Sequence, residues 1–200
     1  QNIQFLPQDI SITLSDLSSG MIRDARRALG RKDKRFSFEV FDCAKIPHKG
    51  CNFDLVIANH VLFYCEDIPA VCNEIQRVLV PGGKLICSTY GSHHMQEVSQ
   101  LVQDFDNRIV LSADRLYERF GRENGADILA PYFSDISWES YNDSLLVPDA
   151  EPLISYILSC HGNQNQYLLD KYTDFRGFVS RKTKDGFFIT KDAGIFLCEK

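Results

Sequence analysis

A doubly wound α/β fold on a mostly parallel sheet is what this sequence predicts, and three observations carry the prediction. Residues 53–91, FDLVIANHVLFYCEDIPAVCNEIQRVLVPGGKLICSTYG, read as strand, loop, helix, turn and strand. Two further strands, 10–15 (ISITLS) and 36–41 (FSFEVF), precede that unit and flank a helical pattern. Each of the three strands runs into polar groups at its carboxyl end: Asp16, Asp42 and the Asn59-His60 pair. Strands alternating with helices at this spacing form a parallel sheet whose crossovers are right-handed.

The elements follow in order. Residues 1–9 are short, polar and broken by Pro7. Ser18 or Ser19 caps a helix carrying Met21, Ile22, Ala25, Ala28 and Leu29 on one side, with Gly30 as its stop. The run 53–58 is apolar except for Asp54, the pattern of a strand buried on both faces. Asp67 is an N-cap and Pro69 fits the first helical turn, after which Ile68, Val71, Cys72, Ile75, Val78 and Leu79 form one stripe. Pro81 is expected to stop that helix, Gly82-Gly83 to turn the chain, and 84–90 to supply the next strand. Later helices are predicted over 94–105 and 114–122, from Asp149 onward, and through Leu168, Tyr172, Phe175 and Val179. Between them 133–147 is extended. The chain closes with FFIT, a Lys-Asp-Ala-Gly turn and IFLCEK. The whole reads as one domain over 1–200, with a helical insertion at about 149–185.

Composition narrows the function classes. Two hundred residues, 44% hydrophobic and 24% charged, are ample for one sizeable core. A net charge of −5 disfavours a broad nucleic-acid footprint. The basic cluster around Arg23–Arg35 reads as the solvated face and end of a helix. Seven cysteines, an odd number without a CxxC, read as reduced thiols, many of them on buried faces, of a cytoplasmic protein. No apolar run approaches membrane-spanning length, so a membrane partner is not expected.

In open α/β sheets, ligands bind beyond the carboxyl ends of the strands. A carboxylate at one strand end accepts both hydroxyls of a ribose, and one on the next strand accepts from an exocyclic amine. Asp16 and Asp42 therefore point to an adenosine-bearing cofactor, although an Asp in either place also caps the turn that follows it.

The segments ITLSDLSSGMIRDAR, FEVFDCAKIP, FDLVIANHVLFY and EIQRVLVPGGKLICSTYG resemble the class I S-adenosylmethionine-dependent methyltransferases of small-molecule type. The resemblance runs from Ile10 onward. It implies a Rossmann-like sheet closed by a terminal antiparallel pair, which the last extended segments fit. It also implies S-adenosylmethionine as cofactor, with Asp16 and Leu17 at the ribose and Met21 under the adenine. Asp42 would stand at the adenine amine, the Cys43 N–H at a ring nitrogen, and Ala58 and Asn59 at the methionine end. His60, Phe63 and Tyr64 would face a small-molecule acceptor, with His60 and Tyr64 the catalytic candidates. Tyr90, His93 and His94 are further bases should the acceptor need deprotonation. No metal is expected, since adjacent residues such as His93 and His94 point apart on a helix.

The acidic-Gly-x-Gly-x-Gly loop of that family is not found, and the first recognisable strand matches the family's second. The chain is therefore expected to be an N-terminally incomplete, truncated domain that lacks the central first strand and binds cofactor weakly. The second strand should then pair directly with the fourth, or a second copy should fill the gap in a strand-mediated homodimer. Two alternatives stand beside the enzyme: a non-catalytic Rossmann-like scaffold, and a nucleotide-dependent dehydrogenase. The closing extended segments weigh against the dehydrogenase. Residues 114–133 and 149–185 would form a lid that carries specificity.

Overall fold

The computed structural model of the chain describes residues 7, 9–29, 33–112 and 115–200. The expected helix stop at Gly30 and helix start at Asp114 lie outside the described residues. Strand β1 (Ile12–Asp16) and strand β2 (Phe36–Val40) pair in parallel across the crossover helix α1 (Ser19–Leu29). Ser18 caps α1, its Oγ accepting from Met21 N at 3.4 Å.

A second sheet has the order β3-β4-β6-β5. In it β3 (Phe53–Asn59) and β4 (Leu79–Tyr90) run parallel across helix α2 (Ile68–Val78). The last strand, β6 (Phe187–Glu199), pairs antiparallel with both β4 and β5 (Ser134–Val147). The antiparallel ending is thus present. Asp67 caps α2 as its position predicts, accepting from Ala70 N at 2.9 Å.

Four local expectations are corrected. The α2 helix ends at Val78, not at Pro81, because Leu79 leaves helical geometry to pair with Phe53. Pro81, Gly82 and Gly83 consequently lie within β4; Gly82 adopts a φ of +75°, and a Cβ on Gly83 would stand 2.9 Å from the Val80 carbonyl. The Lys-Asp-Ala-Gly segment is not a turn but the middle of β6, its residues paired with 140–143 of β5. Gly194 belongs there because a side chain would run into the Glu139 carbonyl and the Trp138 ring. Helix α3 (Gln96–Phe105) starts two residues later than expected, since Met95 takes a left-handed φ of 55°.

The largest correction concerns the join between the two sheets. β1 does not pair with β3: among the described residues each has one edge outside any ladder. The loop 41–52 sets their placement instead. Arg77 Nη1 and Nη2 donate to the carbonyls of His48 and Ile46 at 2.7 and 2.9 Å, and the His48 ring lies edge-on to Phe53 at 5.0 Å. Nor is β3 buried on both faces. Leu55 and Ile57 are 44% and 56% exposed, because no described element covers that side of the strand.

Two apolar clusters hold the chain. The first joins α2, β4 and β6 through Val71, Cys72, Ile75, Leu85, Cys87 and Phe196, with Phe120 behind them. The second lies among α3, helix α6 (Ala150–Ser159), helix α8 (Tyr172–Thr183) and Ile189 of β6. Shorter helices α4 (Leu116–Arg119), α5 (Gly125–Leu129) and α7 (Gln164–Leu168) and two 3-10 turns (Leu62–Tyr64 and Leu169–Lys171) complete the described elements, α4 being far shorter than the expected 114–122 helix. No helix among the described residues is long and apolar enough to cross a membrane.

These burials make a contrast that denaturation can read. Phe196→Ala empties a fully packed site and should cost about 3–5 kcal/mol in urea unfolding. Ile57→Ala should cost no more than about 0.5 kcal/mol, as for an exposed position. Comparable losses at both sites would show that the open face of β3 is covered.

Candidate active site

The parallel register brings the first two candidates to adjacent strand ends. Asp16 pairs opposite Val40, so Asp16 and Asp42 terminate neighbouring strands of one ladder. One oxygen of each carboxylate serves its own turn: Asp16 Oδ1 accepts from Ser18 N at 2.7 Å, and Asp42 Oδ1 from Ala44 N at 2.8 Å. The other oxygen of each accepts no hydrogen bond from the described residues. The turn-capping role thus leaves one oxygen of each carboxylate available. Leu17 and Met21, 73% and 59% exposed, stand open beside Asp16; Met21 is not a core residue.

At the end of β3 the chain bends sharply. Ala58 is buried, Asn59 and His60 are exposed, and His60 sits at a φ of 51°. Two bonds from Ser88 of β4 hold this bend: His60 N donates to Ser88 Oγ at 3.0 Å and to Ser88 O at 3.3 Å. A non-glycine residue in left-handed geometry costs of order 1 kcal/mol, and such strain concentrates at functional sites.

Beyond the bend lies a nest of rings. Phe63 is its centre, with Tyr64 at 4.7 Å, Tyr90 at 5.4 Å and His60 at 6.0 Å between centroids. Tyr90 in turn meets His94 at 5.2 Å and Tyr117 at 6.4 Å. Phe63, expected to face an acceptor, is only 2% exposed and instead supports the rings around it, while Tyr64 is 67% exposed. Tyr117 escaped sequence reasoning, since nothing local ties α4 to Tyr90. Burial holds His94 below the ordinary histidine range, and its Nδ1 is buried without a hydrogen-bond partner among the described residues. Burial also raises the Tyr90 phenol. A neutral imidazole with an unused lone pair is a competent proton acceptor near pH 7.

Residues 2–87 match the methyltransferase domain family. Over those residues, fewer than half of the chain, the sequence is similar to that family. Within its solved neighbours, Haemonchus contortus phosphoethanolamine N-methyltransferase 2 in complex with S-adenosyl-L-methionine superposes with a TM-score of 0.54 at 21% identity, covering 95% of this chain and 43% of that one. The biotin biosynthesis bifunctional protein BioHC of Saccharophagus degradans is 33% identical over 94 residues, 47% of this chain and 17% of that protein. Phosphoethanolamine N-methyltransferase 3 of Arabidopsis thaliana is 26% identical over 162 residues, 68% of this chain and 33% of its own length. The chain thus spans a third or less of these two curated relatives.

A polar cavity of about 280 Å³ lies elsewhere, between the β4–α3 loop and β6, lined by His93, Arg122, Tyr141 and Lys191 among others. It includes none of the strand-end residues. Beside it the ligand atoms of His93, Glu123 and Asp192 lie within 4.8 Å of one another, the described trio best placed for a cation. Its charge is already met in part: Arg122 Nη1 donates to Asp192 Oδ1 at 2.7 Å, and Ser92 N and Oγ donate to Glu123 at 2.9 and 3.0 Å.

His94 gives a pH prediction. Its folded-state pKa lies below the ordinary 6.5, so acidification through that value drives protons preferentially onto the unfolded chain. The stability contributed by the neutral ring is present above that value and lost below it. Thermal unfolding of the native chain should therefore decline more steeply from pH 7 to pH 5 than that of His94→Gln. Parallel curves would show that His94 is not held neutral.

Proposed function

We propose that this domain transfers the methyl group of S-adenosylmethionine to a small organic acceptor. The observation that carries the reading is the pair Asp16 and Asp42 on adjacent parallel strands, each keeping one carboxylate oxygen unused. That donor set fits the adenosine half of the cofactor: Asp16 accepts from the ribose hydroxyls, Asp42 accepts from the adenine amine, and Cys43 offers its N–H to the ring. Leu17 and Met21 supply exposed apolar surface for the base. When bound, S-adenosylmethionine supplies an activated methyl group, and the protein's task is largely positioning. Ala58 and Asn59 border the methionine end, where Ser88 fixes the backbone.

The ring nest then holds the acceptor. Tyr64 offers an exposed face for an organic group, and His60 at the strained bend is the first choice as base. His94, kept neutral, is a second acceptor for the proton. Helices α6 to α8 share an apolar cluster with α3, which supports the reading of 149–185 as a lid packed on the scaffold. The unpaired edges of β1 and β3, with Leu55 and Ile57 exposed, support a further strand from outside the described residues, or from a second copy, completing the cofactor site.

Calorimetric titration with S-adenosylhomocysteine tests the assignment. Asp16→Asn should weaken binding roughly tenfold or more, as expected when charge-assisted hydrogen bonds worth about 1.5–3 kcal/mol are weakened. Asp42→Asn should lose less, since an amide oxygen still accepts from an amine. Unchanged affinity in both variants would place the cofactor elsewhere.

A further inference from the structure

The loop after β2 and the segment after β3 are brought into sulfur contact. Cys43 Sγ and Cys65 Sγ lie 3.6 Å apart, both half-buried, although 22 positions separate them in the chain. Their backbones are held independently. Ile46 N donates to Glu74 Oε2 at 2.8 Å on the Cys43 side, and Arg119 Nη2 donates to the Cys65 carbonyl at 2.5 Å. No other described pair of thiols stands in hydrogen-bond contact, and every cysteine is free.

We propose that Cys43 and Cys65 form a peroxide-oxidisable pair whose disulfide locks the adenine edge of the site. A disulfide needs its sulfurs about 2.05 Å apart, so closure asks for about 1.5 Å of sulfur movement, within reach of side-chain rotation. The two thiols are not equivalent. The contact between the two thiols lowers the Cys43 pKa to about 7, the same contact and burial raise Cys65, and the Asp42 carboxylate opposes ionisation of both. Cys43 is therefore the nucleophile and Cys65 the resolving thiol.

The step balances with hydrogen peroxide as oxidant. The Cys43 thiolate attacks one peroxide oxygen, the S–O bond forms, the O–O bond breaks and hydroxide leaves, giving a sulfenic acid. Cys65 then attacks the Cys43 sulfur; the S–S bond forms, the S–O bond breaks, and the departing hydroxide takes the Cys65 proton as water. Two thiols and one peroxide become one disulfide and two waters. A dithiol such as dithiothreitol reverses it.

The effect on cofactor rests on the proposed function, because it assumes that Asp42 and Cys43 meet the adenine; the oxidation itself does not. Reduced protein treated with dilute hydrogen peroxide and quenched with catalase should be about 2 mass units lighter, and on alkylation should take up two fewer alkyl groups than the untreated chain, with a Cys43–Cys65 linkage in its peptide map. Cys65→Ser should instead leave a sulfenic acid on Cys43 that dimedone captures, and Cys72→Ser should oxidise like the native chain. Oxidation spread evenly over the other cysteines, or absent while Cys51 reacts, would overturn the pair. Titration with S-adenosylhomocysteine should show at least a tenfold loss on oxidation that dithiothreitol restores, and equal affinity in both forms would overturn the lock. A reduced chain that does not bind would count against the cofactor assignment, leaving the mass measurement to decide the disulfide.

Discussion

Strand β4 is the constraint on which the rest depends. It pairs in parallel with β3 on one side and antiparallel with β6 on the other, so it joins the two halves of the four-stranded sheet. Leu79, Leu85, Cys87 and Thr89 are wholly buried along it, and Thr89 satisfies its hydroxyl by donating to the Phe120 carbonyl at 2.7 Å. From this strand Ser88 fixes the bend at His60, while Tyr90 anchors the ring nest. Packing and chemistry are thus set by one element: the face of β4 that builds the core decides where its carboxyl end presents groups to a ligand.

Much of this was readable because local and tertiary demands agree. In the 53–90 unit the cap at Asp67, the apolar stripe of α2 and the following strand all point the same way, and they form as expected. Where pairing outweighs local preference, the sequence misleads. Lys191, Asp192, Ala193 and Gly194 carry turn chemistry, yet pairing of all four with β5, and of Ala193 and Gly194 with β4 as well, draws them into one continuous strand. Leu79 continues the helical stripe by spacing but is taken by Phe53.

The strand ends were legible to a similar depth. Asp16 and Asp42 could be placed because a strand end is a local event. The contacts around the ring nest and its neighbouring loops are long-range: Tyr117 against Tyr90, Phe63 turned inward, and Cys43 against Cys65. No spacing rule links them, since each joins loops from different strands. The direct β1–β3 pairing is also absent: the loop 41–52 between the two sheets is held by Arg77 of α2 and packs its His48 ring against Phe53.

The central claim is that the cofactor lies across the carboxyl ends of β1, β2 and β3. Amide chemical shifts of isotope-labelled protein, followed during titration with S-adenosylhomocysteine, test it most directly. The account predicts the largest changes at Leu17, Cys43 and Asn59, with little movement at Lys191 and Asp192. Changes concentrated around the cavity beside His93 and Arg122, with the strand ends unmoved, would contradict it.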